Sequence, residues 1–245
     1  MNFLLGWVFN LISEWLMALH NVALKYQSFI ADFRKWTQTT NALVYPADNT
    51  YLGSQILMPS KLMEVTCLLH LQDWPLKAGS AKPNANLSML VCAKELFADE
   101  QTLIKSNVVT MYFRPNKIAN PAVPDVAIHY DYEHGMKAAH PLFHASFGGM
   151  HIERAKLDMV GFARDLDIAK YQPIKSIRIP TIHIGLPATL LGLVADHLDN
   201  AVFAGFLNSS RTHPFFKQIA ARTDCRKFDM AQQAPTYSHS HHLYN

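Results

Sequence analysis

The sequence predicts an α+β fold: N-terminal helices, a central antiparallel β-meander, and C-terminal helices that pack on the sheet. Three observations lead to this prediction. Residues 1–45 repeat apolar side chains at helical spacing. Residues 86–185 contain short segments that are rich in Val, Tyr, Phe and Thr and bounded by Pro, Asn or Asp, as strands are. Residues 187–222 return to helical patterns.

We expect residues 1–230 to form one domain and residues 231–245 to form a flexible tail. A chain of 245 residues is long enough to bury a sizeable core. Its composition, 49% hydrophobic and 17% charged, is that of an ordinary globular protein, which excludes large-scale disorder. The formal net charge of +3 permits an anionic partner such as nucleic acid without requiring one.

The N-terminal segment predicts an apolar amphipathic helix that stops before Pro46. It lacks a basic leader region and a small-residue cleavage site, so a signal peptide is not expected. Polar residues form a stripe along the helix, which a membrane-spanning helix would not need, so we do not expect membrane association. The other face carries large apolar side chains suited to a core or to a protein partner: Phe3, Trp7, Leu11 and Trp15.

The remaining elements follow in order. A second helix is expected from Ser60, where "SKLMEV" offers a Ser cap and a Glu in the first turn. It should end at the loop "DWPLKAGSAKPNAN". The next four strands are expected in "LSMLVCAKELF", "SNVVTMYFRP", "PDVAIHYDYEH" and "PLFHASFG", and "KSIRIPTIHIG" is restricted by Pro180 to an edge, a bulge or a loop. Helices are then expected in "LPATLLGLVADHLDNAVF" and "HPFFKQIAARTDC".

Cysteine usage and the absence of known motifs limit the cofactors. The three cysteines are scattered without CxxC spacing, so neither a thiolate zinc site nor a disulfide framework is predicted. Buried free thiols in a reducing cytoplasm are the expectation. The sequence contains no glycine-rich phosphate loop and no GxSxG elbow, and we expect no cofactor and no metal.

The densest group of chemically active side chains lies in "HYDYEHGMKAAHPLFHASFGG", residues 129–149. Residues two or four apart in a strand share a face, so His140 and His144 should lie on one side of the sheet. The neighbouring strand should add either His129 or Tyr130 to that side. The pairing register decides which, and it is not readable from the sequence.

Three interpretations of this group compete. A metal site is disfavoured, because His140 and His144 would lie about 13 Å apart along a strand that rises roughly 3.3 Å per residue. Metal-free phosphodiester cleavage needs an acid, a base and a cation. The candidate catalytic residues for it are His140, His144, Arg178 and Tyr130. In the third interpretation the histidines are hydrogen-bonded packing residues of a hairpin.

Residues 108–200 also resemble an uncharacterised family of small bacterial proteins with a Tyr-Asp strand, a His-Pro-x-x-His strand and an Arg-Ile-Pro segment. The matching positions are Tyr130, Asp131, His140, Pro141, His144, Arg178, Ile179 and Pro180. The resemblance implies no established reaction. It implies a toxin–antitoxin, mobile-element or phage-defence context. The stretch from Met150 to Lys175 is longer than the resemblance leads us to expect.

Two functions remain open at this point, and with them whether the chain is an enzyme. The favoured one is a non-catalytic or accessory subunit of a bacterial phage-defence or toxin-like module. It would dock a protein partner, or a second copy of itself, through the apolar N-terminal helix. The alternative is a metal-independent phosphodiesterase or RNase-like effector directed at nucleic acid, which would use the strand of His140 and His144 together with Arg178.

Overall fold

The computed structural model describes residues 2–39, 50–74, 87–114, 120–133, 143–173, 178–180, 185–198, 200–210 and 213. The chain begins with helix α1 (Asn2–Thr39), which is followed by strands β1 (Thr50–Leu57), β2 (Leu62–Trp74), β3 (Leu87–Phe97), β4 (Leu103–Phe113), β5 (Val126–Glu133) and β6 (Phe143–Phe147). After β6 come the short helix α2 (Arg154–Met159), a 3-10 turn (Ile168–Lys170) and strand β7 (Arg178–Pro180). Two helices follow, α3 (Gly185–His197) and α4 (Asn200–Ser210).

The seven strands form one antiparallel sheet in the order β1-β2-β3-β4-β5-β6-β7. Each strand therefore pairs with its neighbour in the sequence, which is the arrangement of a meander. The α+β class, with an N-terminal helix, an antiparallel meander and C-terminal helices, is confirmed. The segment with Pro180 lies at the edge of the sheet as β7, one of the positions that proline permits.

One face of the sheet, which we call the helix face, packs against α1, α3 and α4. The sheet contributes buried aliphatic side chains to this core, among them Val65, Leu69, Val91 and Val108. Helix α1 contributes one stripe of side chains that repeats at helical spacing: Leu19, Val22, Tyr26, Phe29, Ile30 and Phe33. Burial of each such side chain contributes about 1.5–3 kcal/mol, so this stripe holds α1 on the sheet.

Glu95 on β3 lies against both α1 and α3 inside this core. Its buried carboxylate accepts a hydrogen bond from the Tyr26 hydroxyl of α1. It also lies against Gly185, where α3 begins with a φ of +74°. A Cβ atom at Gly185 would come within 2.6 Å of Glu95 Oε1, so only glycine suits both the backbone and the contact.

The opposite face, which we call the insert face, is covered in part by residues 148–173. These residues lie between β6 and β7, and we call them the insert. The sheet residues beneath this insert include Leu68, Leu90, Val109 and Met111. The insert packs on them through Ile152, Leu157, Val160 and Phe162. The long stretch after β6 therefore completes a second hydrophobic core.

Two predicted elements were wrong. The helix expected from Ser60 is instead strand β2, and the strand β1 before it was not predicted. Both faces of β2 are buried, with Val65 and Leu69 on one face and Leu68 and His70 on the other. Its sequence therefore lacks the alternation of apolar and polar residues that is typical of a half-exposed strand. The helix expected over residues 186–203 is divided into α3 and α4. The predicted helix "HPFFKQIAARTDC", apart from His213, and the tail lie outside the described residues.

His70 on β2 forms hydrogen bonds to both the insert and the sheet. Its Nδ1 lies 3.1 Å from the carbonyl oxygen of Val160, and its Nε2 lies 2.9 Å from the hydroxyl of Ser88. Burial lowers the pKa of His70 below its ordinary value of 6.5, although the hydrogen bond to Val160 acts in the opposite direction. The ring therefore stays neutral in the folded chain at pH values where it is protonated in the unfolded chain.

This difference predicts a dependence of stability on pH. Since the unfolded chain takes up the proton first, the His70 contribution is complete above pH 6.5 and is lost as the pH falls toward the folded pKa. The His70→Asn variant should lose less stability than the parent between pH 7 and 5, as measured by thermal unfolding at a series of pH values. His151→Asn, at an exposed histidine of the insert, is the control. Parallel pH profiles for His70→Asn and the parent would contradict the assignment.

Candidate active site on the insert face

The pairing of β5 with β6 brings two histidines and one aspartate together. Asp131 lies opposite His144, and His129 lies opposite Ser146. Residues opposite one another in an antiparallel pair, and residues two apart in a strand, project from the same face. The register therefore places His129, and not Tyr130, beside His144.

Asp131 lies between the two imidazole rings. Its Oδ1 is 3.1 Å from His129 Nε2, and its Oδ2 is 3.5 Å from His144 Nε2. The His144 side chain is 8% exposed, whereas those of His129 and Asp131 are 24% and 25% exposed. We call these three residues the His–Asp–His cluster. One ring is thus shielded, while the carboxylate and the other ring remain open to a ligand.

The cluster keeps its carboxylate ionised. Burial alone would raise the pKa of Asp131, but contact with His129 and the charges of His129, His144 and Lys105 outweigh it and lower the pKa below 3.8. An ionised carboxylate beside an imidazole orients the ring and stabilises the positive charge that develops during proton transfer. The arrangement is suited to general acid–base chemistry with two imidazoles that share one carboxylate.

Other predicted site residues lie elsewhere or outside the described part of the chain. Tyr130 lies on the helix face, where it packs against the helix-face core. Burial there raises the pKa of its hydroxyl. It is therefore separated from His144 by the sheet itself. His140 lies outside the described residues, with Pro141 beside it. For Arg178 the structure describes only the backbone, which lies opposite Ser146 on β6.

The predicted partner-binding residues lie on α1. Trp15 is half-buried and packs against the helix-face core, in line with the buried stripe that continues through Leu19. The side chains of Phe3, Trp7 and Leu11 lie outside the described part. Among the α1 side chains that the structure describes, the exposed large apolar ones are different residues, which the sequence analysis did not select: Leu16, Met17 and Leu24.

Sequence reasoning missed Lys105 and Asn107 on β4. Asn107 lies opposite Asp131 in the pairing of β4 with β5, and Lys105 is two residues away on the same face. Both are ordinary polar residues of a strand. Only the pairing register of β4 with β5 shows that they lie beside Asp131. The strand alternation of "LIKSNVVTMYF" would have placed them on one face, but not beside the histidines.

No three His, Cys, Asp or Glu side chains among the described residues are arranged to hold a metal ion. Across the same residues, no helix has both the length and the apolar composition needed to cross a membrane.

Comparisons with known proteins add no relatives. No protein-family model, no curated protein and no solved structure matches this chain. The resemblance of residues 108–200 to a family of small bacterial proteins therefore stays a prediction.

The lowered pKa of Asp131 predicts that this residue stabilises the fold at neutral pH. Its contribution is present above the ordinary pKa of 3.8 and is lost as the pH falls through the lower folded value. Asp131→Asn should therefore unfold more easily at pH 7, by about 1–3 kcal/mol. The difference from the parent should shrink below pH 3.8. Thermal or urea unfolding at each pH measures it.

The matched control is Asp165→Asn, at an exposed ion pair between the insert residues Arg154 and Asp165. Exposed ion pairs contribute little, so this variant should unfold nearly as the parent does. Equal stability of Asp131→Asn and the parent at pH 7 would show that the His–Asp–His cluster does not hold the carboxylate as described.

Proposed function

We propose that the protein is a metal-independent phosphodiesterase of the RNase-like kind, directed at nucleic acid. The observation that carries the proposal is an ionised Asp131 placed between His129 and His144 on a partly open face of the sheet. His144 and His129 serve as general acid and general base. Asp131 is a positioning residue that orients both rings.

Phosphodiester cleavage by proton transfer needs two groups in opposite protonation states. A neutral imidazole accepts the proton of the attacking hydroxyl, and an imidazolium donates a proton to the departing oxygen. Imidazole suits both roles, because its ordinary pKa lies near neutrality. Lys105, whose charge reaches Asp131, supplies positive charge near the phosphate. Arg178 remains a second candidate for that role because β7 pairs with the strand of His144.

The proposal predicts that His144→Gln abolishes cleavage without unfolding the chain. General acid–base catalysis contributes about 10²–10⁴ in rate, so the loss should fall in that range. A labelled single-stranded oligonucleotide, incubated in the presence of a chelator, gives the rate, and thermal unfolding gives the stability. The parent should show a bell-shaped dependence of rate on pH.

The control for this experiment is His20→Gln, at an exposed histidine on α1, far from the cluster in the sequence and not part of it. It should cleave at the parental rate. A His144→Gln variant that is folded and cleaves as fast as the parent would exclude the catalytic role. Cleavage by the parent that disappears with the chelator would exclude the metal-independent mechanism.

A second candidate function is an accessory subunit that docks a protein partner or a second copy through α1. It is favoured by Leu16, Met17 and Leu24, which are 54%, 63% and 45% exposed. Spacings of one, seven and eight residues keep these side chains on one side of a helix. A group of exposed apolar residues on one side is typical of an interaction surface. We call Leu16, Met17 and Leu24 the outer ridge of α1.

The biological setting that we propose, for either function, is a bacterial phage-defence or toxin–antitoxin module in the cytoplasm. The resemblance of residues 108–200 supports the module. Buried free thiols at Cys67 and Cys92 suit a reducing compartment.

The docking proposal predicts that Leu16→Glu prevents assembly. A charge in the centre of an apolar contact is costly to desolvate, so the complex or oligomer should dissociate while the chain stays folded. Light scattering of the purified chain, alone and co-expressed with the products of neighbouring genes, gives the mass. Gln172→Glu adds the same charge at an exposed position of the insert, on the other face of the sheet, and should not change the mass. A parent chain that is monomeric under all these conditions would exclude docking.

A further inference from the structure

The polar part of the insert face extends well beyond the His–Asp–His cluster. The pairing register aligns one residue from each of five neighbouring strands, β2 to β6, in a single row: Thr66, Lys94, Asn107, Asp131 and His144. Neighbouring strands lie about 4.8 Å apart, so this polar row is ~19 Å long and crosses the strands at right angles. It is a continuous polar surface that ends at the proposed acid–base site.

The adjacent row is apolar on β2 to β4 only. Two residues further along these strands, the same face carries Leu68, Cys92 and Val109, which are buried in the core formed with the insert, whereas on β5 and β6 it carries His129 and Ser146. The insert thus covers the apolar part of the face. The polar row lies along the border of that core.

Asn107, in the middle of the row, carries an amide oxygen, Oδ1, that suggests a bound ligand. Its Oδ1 is shielded from solvent and accepts no hydrogen bond from any residue that the structure describes. A shielded carbonyl oxygen without a donor destabilises the folded chain, and native proteins keep few of them. The Asn107 side chain as a whole is only half-buried, so rotation of its amide group can present this oxygen to a bound molecule that supplies an N–H or O–H donor.

Lys94 supplies positive charge near the other end of the row, next to Thr66. Its ammonium lies 2.9 Å from Glu64 Oε2, while the side chain remains half-exposed. Glu64 is buried and also accepts a hydrogen bond of 2.8 Å from Gln55 Nε2. The carboxylate therefore holds the ammonium at a defined place on the face. An ammonium has three donors, so it can bind a phosphate oxygen while it keeps this contact.

We infer that the polar row binds one strand of RNA, laid across β3 to β6 with the bond to be cleaved at the His–Asp–His cluster. Lys94 contacts a backbone phosphate, and Asn107 Oδ1 accepts a hydrogen bond from a ribose 2′-hydroxyl or a base N–H group. The inference rests on the proposed function, because the cleavage site gives the strand its end point. Single strands are the form of nucleic acid whose sugar and base donors are accessible to a sheet surface.

RNA is the nucleic acid that this site can cleave without a further reactant. The 2′-oxygen forms a bond to phosphorus as its proton passes to the neutral imidazole. The bond from phosphorus to the 5′-oxygen breaks, and that oxygen takes a proton from the imidazolium. The products are a 2′,3′-cyclic phosphate and a 5′-hydroxyl, so atoms and protons balance and only the two imidazoles exchange roles.

The experiment measures binding separately from cleavage. The full chain carrying His144→Gln is titrated with a fluorescent single-stranded RNA and with the DNA of the same sequence, at several salt concentrations. Lys94→Gln should lower the slope of log K against log salt by about 0.7, the value for one phosphate contact on a single strand. Lys35→Gln, an equal charge change on α1, should leave the slope unchanged.

Asn107→Leu distinguishes a role in RNA binding from a purely structural role, because it is measured for both RNA affinity and thermal stability. It should weaken RNA binding by about tenfold, as expected for one lost hydrogen bond. Its unfolding temperature should equal or exceed that of the parent, because the substitution removes a shielded oxygen without a donor. A smaller loss on DNA than on RNA assigns the donor to the 2′-hydroxyl, and equal losses assign it to a base.

The outcomes separate this inference from the proposed function. Cleavage that depends on His144, together with unchanged RNA binding in Lys94→Gln and Asn107→Leu, would overturn the binding row and leave the catalytic proposal intact. Weakened RNA binding in both variants, with no cleavage by the parent, would support the row and overturn the catalytic proposal. An Asn107→Leu variant that is less stable than the parent and binds RNA as well as the parent would show that Asn107 is structural.

Discussion

Asp131 on β5 lies opposite His144 on β6, and the candidate site depends on this pairing. Side chains alternate between the two faces of a strand, so a slip of one residue would remove His144 from the insert face and leave Asp131 opposite Ala145 or Phe143. The chain specifies the register through burial on both sides. Tyr132 on β5 is buried in the helix-face core, and Ala127 on the same strand is buried under the insert. The position of the chemistry is therefore a consequence of packing elsewhere on the strand.

The two faces of the sheet have different roles, and the insert divides one of them. On the helix face, aliphatic side chains and α1 form a continuous core, and polar groups such as Glu95 are enclosed between elements. On the insert face, residues 148–173 cover the apolar rows and stop short of the polar row. A sheet of seven strands offers more surface than the insert covers. Within the part of the chain that the structure describes, the area beside the insert holds partly exposed charged and titratable groups such as Lys94, Asp131 and His129, whose cost of desolvation is low.

Helix α1 contributes to the fold and offers a surface at the same time. Its inner stripe, from Leu19 to Phe33, is buried against the sheet, and Trp15 extends that stripe. Its outer ridge remains exposed on a helix whose inner side already has a partner. The same helix thus stabilises the chain through one side and is available to a second molecule through the other. The proposed catalysis on the insert face and the proposed docking through α1 are compatible, because the sheet separates the two surfaces.

By itself the sequence determined the class of fold, the extent of most strands and the stretch that contains the candidate site, because period-2 and helical patterns depend only on which faces are buried. It did not determine β2, since a strand buried on both faces loses its alternation and resembles a helix. Nor did it decide between His129 and Tyr130, or connect Lys94 and Asn107 with His144. Those relations depend on which residue of one strand lies opposite which residue of the next. Only the tertiary structure decides this, because the register follows from the packing of both faces at once.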